Sequence, residues 1–201
     1  MDENAKPLAY AIGERVKNER LAKSWTLDQL AAHAGVSRRM VVNVEHGAVN
    51  PSVGTLLRLS DALGVGLPAL VEPPATAVAR VTRRGAGAVL WTGDYGGHGV
   101  LVAGTDPPDI VELWDWTLAP GDRHESEAHA AGTRELLQVL QGAMTVEVDG
   151  QALTLDAGDA LTFWGDADHA YTNRSDAPTR FTLAVYEPGV GLAHRTETPD
   201  A

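Results

Sequence analysis

The chain has no cysteine among its 201 residues, which excludes a disulfide framework and any thiolate metal site. No apolar run approaches membrane-spanning length, and the opening M-D-E-N-A-K-P is polar and acidic, unlike a signal peptide. The expectation is a cytoplasmic protein without a membrane partner. Basic residues are also in short supply: 16 Lys and Arg face 27 Asp and Glu, for a net charge of −11. That balance argues against nucleic acid as a partner until the charge is mapped. Residues 1–72 hold eight basic residues (Lys6, Arg15, Lys17, Arg20, Lys23, Arg38, Arg39, Arg58) and eight acids (Asp2, Glu3, Glu14, Glu19, Asp28, Glu45, Asp61, Glu72). That half is neutral, so the whole −11 lies in the remainder. An acidic body is repelled by phosphates and suits a domain held away from a duplex.

What is present is ordinary for a globular chain, 44% hydrophobic and 21% charged, and the length allows one large domain or two small ones. From Leu8 to about Leu70 the pattern is helical. Leu8, Ile12, Val16 and Leu21 form one apolar stripe at three- to five-residue spacing. Thr26 reads as an N-cap, and Gln29 three residues on completes a capping box. Leu27, Leu30, Ala31 and Ala34 form the buried side of that second helix. Gly35 supplies a left-handed turn, and Ser37 caps the third helix. Met40, Val41 and Val44 face inward there, Arg38, Arg39, Val42 and Asn43 outward, and Gly47 ends it. Asn50-Pro51-Ser52 starts a fourth helix carrying Leu56, Leu57, Leu59 and Leu63, and a short fifth follows around Pro68 to Val71.

Glu72-Pro73-Pro74-Ala75 stops any helix, and the stretch to Gly87, with Arg80, Arg83 and Arg84, reads as a linker into a first strand. Beyond Val89 short β-like runs alternate with Gly, Pro and Asp: Gly99–Ala103, Ile110–Leu118, Leu136–Leu140, Met144–Val148, Ala152–Leu155, Ala160–Phe163 and Arg180–Tyr186. Short strands separated by turn signals suggest an all-β sandwich or barrel.

Residues 26–47 fit two short amphipathic helices joined by a tight turn. That is the layout of a helix-turn-helix, whose second helix enters the DNA major groove and reads base edges from its N-terminal end. On Thr26, Leu30, Ala31, Gly35, Val36, Ser37, Gly47 and the closing L-x-x-L-S-D-A-L-G (Leu56 to Gly64), the helical half resembles the lambda-repressor-like, or XRE, family of helix-turn-helix regulators. The resemblance covers about residues 8–70 and implies a five-helix bundle. It places Arg38 and Arg39 where the family contacts bases. Arginine suits that task because its planar fork can bond guanine O6 and N7 together, although either residue could hold a phosphate instead. Asn43, one turn further, could pair with adenine. Thr26 and Ser37, at helix N-termini, are placed for phosphates. One such module contacts few bases, so a homodimer reading two half-sites about 34 Å apart is expected, with the C-terminal domain as dimeriser.

Residues 150–173 resemble the second motif of the cupin family, with Gly150, Gly158, Asp159, His169 and Asn173 at its spacing and Asp156 in place of the usual proline. Glu135 and Gly142 fit the end of the first cupin motif. The resemblance covers about residues 88–187 and implies a double-stranded β-barrel. The first motif departs from the family at its histidine pair. A three-residue gap before Glu135 puts that pair at His129 and Ala131, a four-residue gap at Ala128 and Ala130. His124 lies nearby at a spacing that is not the family's. Two histidines and a glutamate still form a facial triad with open positions for a divalent transition metal, and the best set here is His129, Glu135 and His169. Strand register decides whether His129 faces inward. The alternative for His169 and Asn173 is a hydrogen-bonded turn. Trp114 and Trp116 share one strand face with Glu112 and Leu118. With His169 and Tyr171 they are candidates to line a small-ligand pocket, the alternative being core packing. Trp164 and Tyr186 are further candidates, while Asp159, Asp166 and Asp168 read as loop and turn residues.

The expected architecture is two-domain, α plus β: residues 1–72 a DNA-binding domain, 73–87 a linker, and 88–201 a cupin β-barrel. The expected function is sequence-specific transcription regulation through a double-stranded DNA operator and a small-molecule effector, without enzymatic activity. A divalent transition metal is the candidate cofactor. The runner-up is a metal-dependent enzyme, because the layout resembles hydroxypropylphosphonate epoxidase, whose first iron-binding histidine falls at Ala131 here. A third reading is an antitoxin-like adaptor that uses DNA to position a protein partner.

Overall fold

The computed structural model describes residues 5–71 and 79–190. The Glu72-Pro73-Pro74-Ala75 break, residues 73–78 of the expected linker and residues 191–201 of the expected barrel domain lie outside the described residues. The chain divides into two compact units, a helical one within Met1–Arg80 and a β one spanning Val81–Thr105 and Asp109–Pro188. Among the described residues no helix is long and apolar enough to cross a membrane.

Five helices make the first unit: α1 Ala5–Ala22, α2 Leu27–His33, α3 Arg38–Glu45, α4 Val53–Leu63 and α5 Gly66–Val71. Their starts are set locally. Thr26 Oγ1 accepts the amide of Gln29 while Gln29 Oε1 accepts the amide of Thr26, so two donors that a helix leaves without partners are satisfied together. Ser37 caps α3 through the Met40 amide, and Ser52 caps α4 through that of Thr55. Gly35, at φ 61°, makes the left-handed step between α2 and α3 that a side chain would strain. Ile12, Val16, Leu30, Val41, Leu56 and Leu59 are fully buried and form the core.

Leu21 does not join that stripe; it is 53% exposed. Five residues past Val16 is about 140° further round a helix, whereas position 20 stays on the buried side. That place belongs to Arg20, which makes a two-pronged ion pair with Glu45, Nε to Oε1 at 2.6 Å and Nη2 to Oε2 at 2.8 Å. Its remaining Nη1 donates to the Trp25 carbonyl at 2.8 Å. The last turn of α3 is thereby locked to α1. The two helices also approach closely at Gly13, where a Cβ would run into the Val44 carbonyl.

The second unit holds ten strands: β1 Ala88–Thr92, β2 His98–Gly104, β3 Ile110–Leu118, β4 Arg123–Ser126, β5 Arg134–Gln141, β6 Ala143–Val148, β7 Gln151–Asp156, β8 Ala160–Trp164, β9 His169–Thr172 and β10 Thr179–Glu187. They form a six-stranded sheet in the order β1-β2-β3-β10-β5-β8 and a four-stranded sheet in the order β4-β9-β6-β7; every pairing is antiparallel. β3 and β10 alternate strictly between buried and less buried positions, as strands with one packed face do. Side chains from the two sheets meet between them. Trp116 of β3 stacks on Trp114 at 5.6 Å and Phe181 at 5.9 Å, and Tyr171 of β9 lies 5.5 Å from Phe181.

Candidate nucleic-acid interface and metal centre

The Ser37 cap and the Arg20–Glu45 pair hold α3 at its two ends, which fixes the side it turns outward. Arg38 and Arg39 occupy its first turn and are exposed; Asn43, one turn later, is half-buried. Arg38 Nε lies 3.3 Å from Asp28 Oδ1, with both side chains largely in solvent. Exposed pairs of this kind are weak, about 0–1 kcal/mol, so a stronger anion can replace Asp28 as the partner of Arg38. Thr26 and Ser37 are exposed as well, but their hydroxyls already accept helix amides. What they bring to an approaching phosphate is mainly the position of the helix N-termini they cap. All five residues expected to meet DNA are therefore on α3 or at the two caps.

In the β unit two segments about 35 residues apart in sequence converge. Glu135 stands near the start of β5, His169 opens β9, and His129 sits between β4 and β5. His129 Nε2 is 3.0 Å and His169 Nε2 3.1 Å from the same oxygen, Glu135 Oε1. Strand register therefore does not decide the facing of His129, because the residue lies outside any strand. Its loop is held by the stretch before β9: Asp168 Oδ1 accepts the Ala128 amide at 3.1 Å, and Asp166 Oδ2 accepts that of Gly132 at 3.0 Å. These two aspartates, expected as plain turn residues, position the loop that delivers a site histidine. Ala131 is exposed on the same loop and brings no donor.

The chemistry of the three donors fits a metal. His169 Nδ1 lies 2.7 Å from the Ala167 carbonyl, which can only accept, so Nδ1 carries the proton. Nε2 can then face the carboxylate either as part of an imidazolium or as a lone pair sharing a cation with it. Both imidazole Nε2 atoms approach Glu135 Oε1 at about the separation of neighbouring ligands at right angles around one ion, and all three donor atoms lie within 4.8 Å of one another. The Tyr171 hydroxyl donates to Glu135 Oε2, leaving Oε1 to the imidazoles. Burial pushes the Glu135 carboxyl up, but hydrogen bonds from His129 and His169 and their charge outweigh it and bring it down to about 2. For His169, burial lowers and the Glu135 carboxylate raises, with a net rise. Burial, then the Glu135 charge, holds Tyr171 protonated well above the usual phenol range.

Neighbouring groups play other parts. His124 stays with the aromatic residues, 4.8 Å from Trp116, and burial followed by the charge of His169 pulls it down to about 4. Asn173 is fully buried and donates to the carbonyls of Leu118 and Ala177, the turn role that the sequence also allowed. Trp114 and Trp116 are 3% and 2% exposed. Trp114 Nε1 donates to Glu112 Oε2 at 2.9 Å, two residues back on the same buried face. Burial, then the charge of Glu187, pushes Glu112 up to about 8, a second interior carboxyl, which the sequence placed on the tryptophan face without giving it a role. Its signal was the E-L-W-D-W alternation, which puts Glu112 on the tryptophan face. A cleft of about 540 Å³ lies beside β9 and is lined by Arg123, Glu125, Glu147, Asp168 and His169 among others.

A capped helix pair presenting two arginines, joined in one chain to a two-sheet β unit with a histidine–carboxylate centre, defines a DNA-binding protein with an appended cupin-type domain. Residues 16–70 match the helix-turn-helix family model, and residues 114–186 match the cupin domain model. The chain thus combines an XRE-type helix-turn-helix domain with a cupin domain. It is 28% identical over 181 residues to the HTH-type transcriptional regulator SutR of Escherichia coli (strain K12), covering 90% of this chain and 97% of that protein. Over 60 residues it is 37% identical to the immunity repressor protein of Bacillus phage phi105, covering 30% of this chain and 42% of that one. A crystal structure of an HTH_3 family transcriptional regulator from Vibrio cholerae shares the fold, with TM-score 0.69, 24% identity, and 92% of this chain and 99% of that one covered.

Proposed function

We propose that the chain is a cytoplasmic, sequence-specific transcriptional regulator that binds a double-stranded DNA operator as a homodimer. In this reading residues 1–72 form the DNA-binding domain, 73–87 the linker, and 88–201 a double-stranded β-barrel that dimerises and senses a small-molecule effector. The observation that carries it is the outward first turn of α3, with Arg38 and Arg39 exposed between the Ser37 cap and the Arg20–Glu45 lock. Arg38 and Arg39 read base edges, Asn43 pairs with adenine, and the capped N-termini at Thr26 and Ser37 seat phosphates. The similarity to SutR along nearly its whole length supports regulation rather than catalysis.

In the sensor domain His129 and His169, through Nε2, and Glu135, through Oε1, hold a divalent transition metal. When bound, the ion offers open positions to oxygen or nitrogen donors of an effector. Tyr171 keeps Glu135 Oε2 occupied, the Ala167 carbonyl fixes the tautomer of His169, and Trp114, Trp116 and Tyr171 wall the effector's side. Regulation is linkage: an effector shifts operator affinity only by its differential affinity for two dimer states.

The test is capture of sheared genomic DNA by the purified full chain, with the bound fragments sequenced and an R38A/R39A double variant as control. A shared two-fold symmetric site, lost in the variant, is the expected outcome. No enrichment, whether or not Zn(II) is added, would sink the regulator reading.

A further inference from the structure

The outer faces of the two sheets differ in chemistry. On the four-stranded sheet Arg123, Glu125 and Glu147 point outward and pair with one another, and Arg174 pairs with Glu147. On the six-stranded sheet the register brings Val89, Val111, Leu113, Leu136, Leu140 and Trp164 to the outer face, each 41–53% exposed. These are six of the eleven large hydrophobic residues exposed among the described residues, gathered on one surface. Their strand neighbours on the other face, including Trp114, Leu137 and Phe163, are buried, so the domain already has its core without them. An apolar sheet face beyond what the core needs marks an interaction surface.

We propose that this face of the six-stranded sheet is where two copies of the chain pair about a two-fold axis. Three features favour a second copy over another occupant. Leu113 and Leu136 flank Ala184 in one cross-strand row, which leaves a shallow trough of small and branched side chains that an identical surface can fill. Of the charges beside it, Arg180 pairs with Asp115 at 2.9 Å, and Arg134 lies over the Trp164 ring. Two chains can approach there with little charge repulsion, since Arg180 and Asp115 cancel within each copy. Third, six strands about 4.8 Å apart and about 25 Å long present roughly 700 Å². A stable interface buries about 800 Å² per partner around an apolar centre with a polar rim.

The proposal rests on the reading that a dimer binds two half-sites, and the experiment keeps the two apart. Sedimentation of the full chain without DNA gives the oligomeric state of the wild type, an L113T/L136T double variant and an E147Q control. Threonine keeps the strand preference while removing the apolar contact. The expected result is dimeric wild type and control, and a double variant that is monomeric with unchanged circular dichroism. The monomer should also lose operator affinity on the order of 100-fold or more, because its two sites are no longer joined. A dimeric double variant overturns the face while leaving the dimer reading intact. A monomeric wild type overturns both, and residues 191–201 or a different protein become the cover. Cross-linking gives a second measurement that does not depend on weakening the fold, because the chain has no cysteine of its own. With a short thiol cross-linker Leu113→Cys should be trapped as a dimer and Glu147→Cys should not; the reverse pattern overturns the proposal.

Discussion

The two candidate sites differ in how they are built. The candidate DNA-facing residues lie within 18 consecutive positions, from Thr26 to Asn43, and depend on caps that act over three residues. The three candidate metal ligands, His129, Glu135 and His169, come from two strands and a loop and are almost fully buried. An exposed site on one helix needs only that helix and its orientation. A buried one needs the sheet register, a loop tied down by Asp166 and Asp168, and a hydroxyl from Tyr171 to hold its carboxylate. Point changes should therefore act on the first through orientation and on the second through assembly.

The largest effect is expected where even the local site depends on a distant contact. Glu45→Ala leaves the Arg20 guanidinium buried without its carboxylate and should cost about 3–5 kcal/mol. Denaturant unfolding followed by helical circular dichroism would reveal it as an early-melting helical unit; an unchanged midpoint would show that α3 needs no lock. At the assembled site Tyr171→Phe keeps the ring and removes only the donor to Glu135. Titration calorimetry with Zn(II) should give metal binding weakened about 10- to 100-fold, or about 1.4–2.7 kcal/mol. Equal affinity would mean that Glu135 is held without the hydroxyl. On the exposed side Arg38→Ala should cost about 1–3 kcal/mol on the operator and less on random DNA if the residue reads a base. Equal losses on both would make it a phosphate contact.

Glu112 tests whether a carboxyl buried on the tryptophan face has its own pH signature. Its carboxyl is pushed up to about 8 in the folded chain, above its ordinary unfolded value. The native state then holds a proton that the unfolded state has released, so stability falls as pH rises from about 4.5 toward 8. Glu112→Gln should flatten that slope between pH 5 and 8 in thermal melts; an identical slope would assign it to other groups. The smallest effect belongs to Thr26→Ala, about 1 kcal/mol, through loss of one cap. Melting of the helical unit would report it, with the metal titration unmoved.

The comparison also sorts what could be read from the chain. Thr26 with Gln29, Gly35, Ser37 and Gly47 marked the helix-turn-helix because capping and left-handed turns are contacts between near neighbours. β3 and β10 were legible from alternation. β4 and β9 were not: R-H-E-S carries no apolar alternation, and H-A-Y-T is buried at all four positions, so neither has the period that betrays a strand. Leu21 misled because an apolar residue continued the count while Arg20 held the buried side of the helix.

The two-part architecture and the helix-turn-helix were legible in the sequence because caps, left-handed turns and strand alternation are local patterns, and family spacing picked out His129, Glu135 and His169 as candidate metal ligands. That His129 reaches Glu135 from a loop, that the Tyr171 hydroxyl holds Glu135 and that Arg20 closes on Glu45 follows from tertiary packing. These contacts join residues 6 to 36 positions apart. They exist only once sheet register and helix packing have brought distant side chains together, and no short-range periodicity records that step.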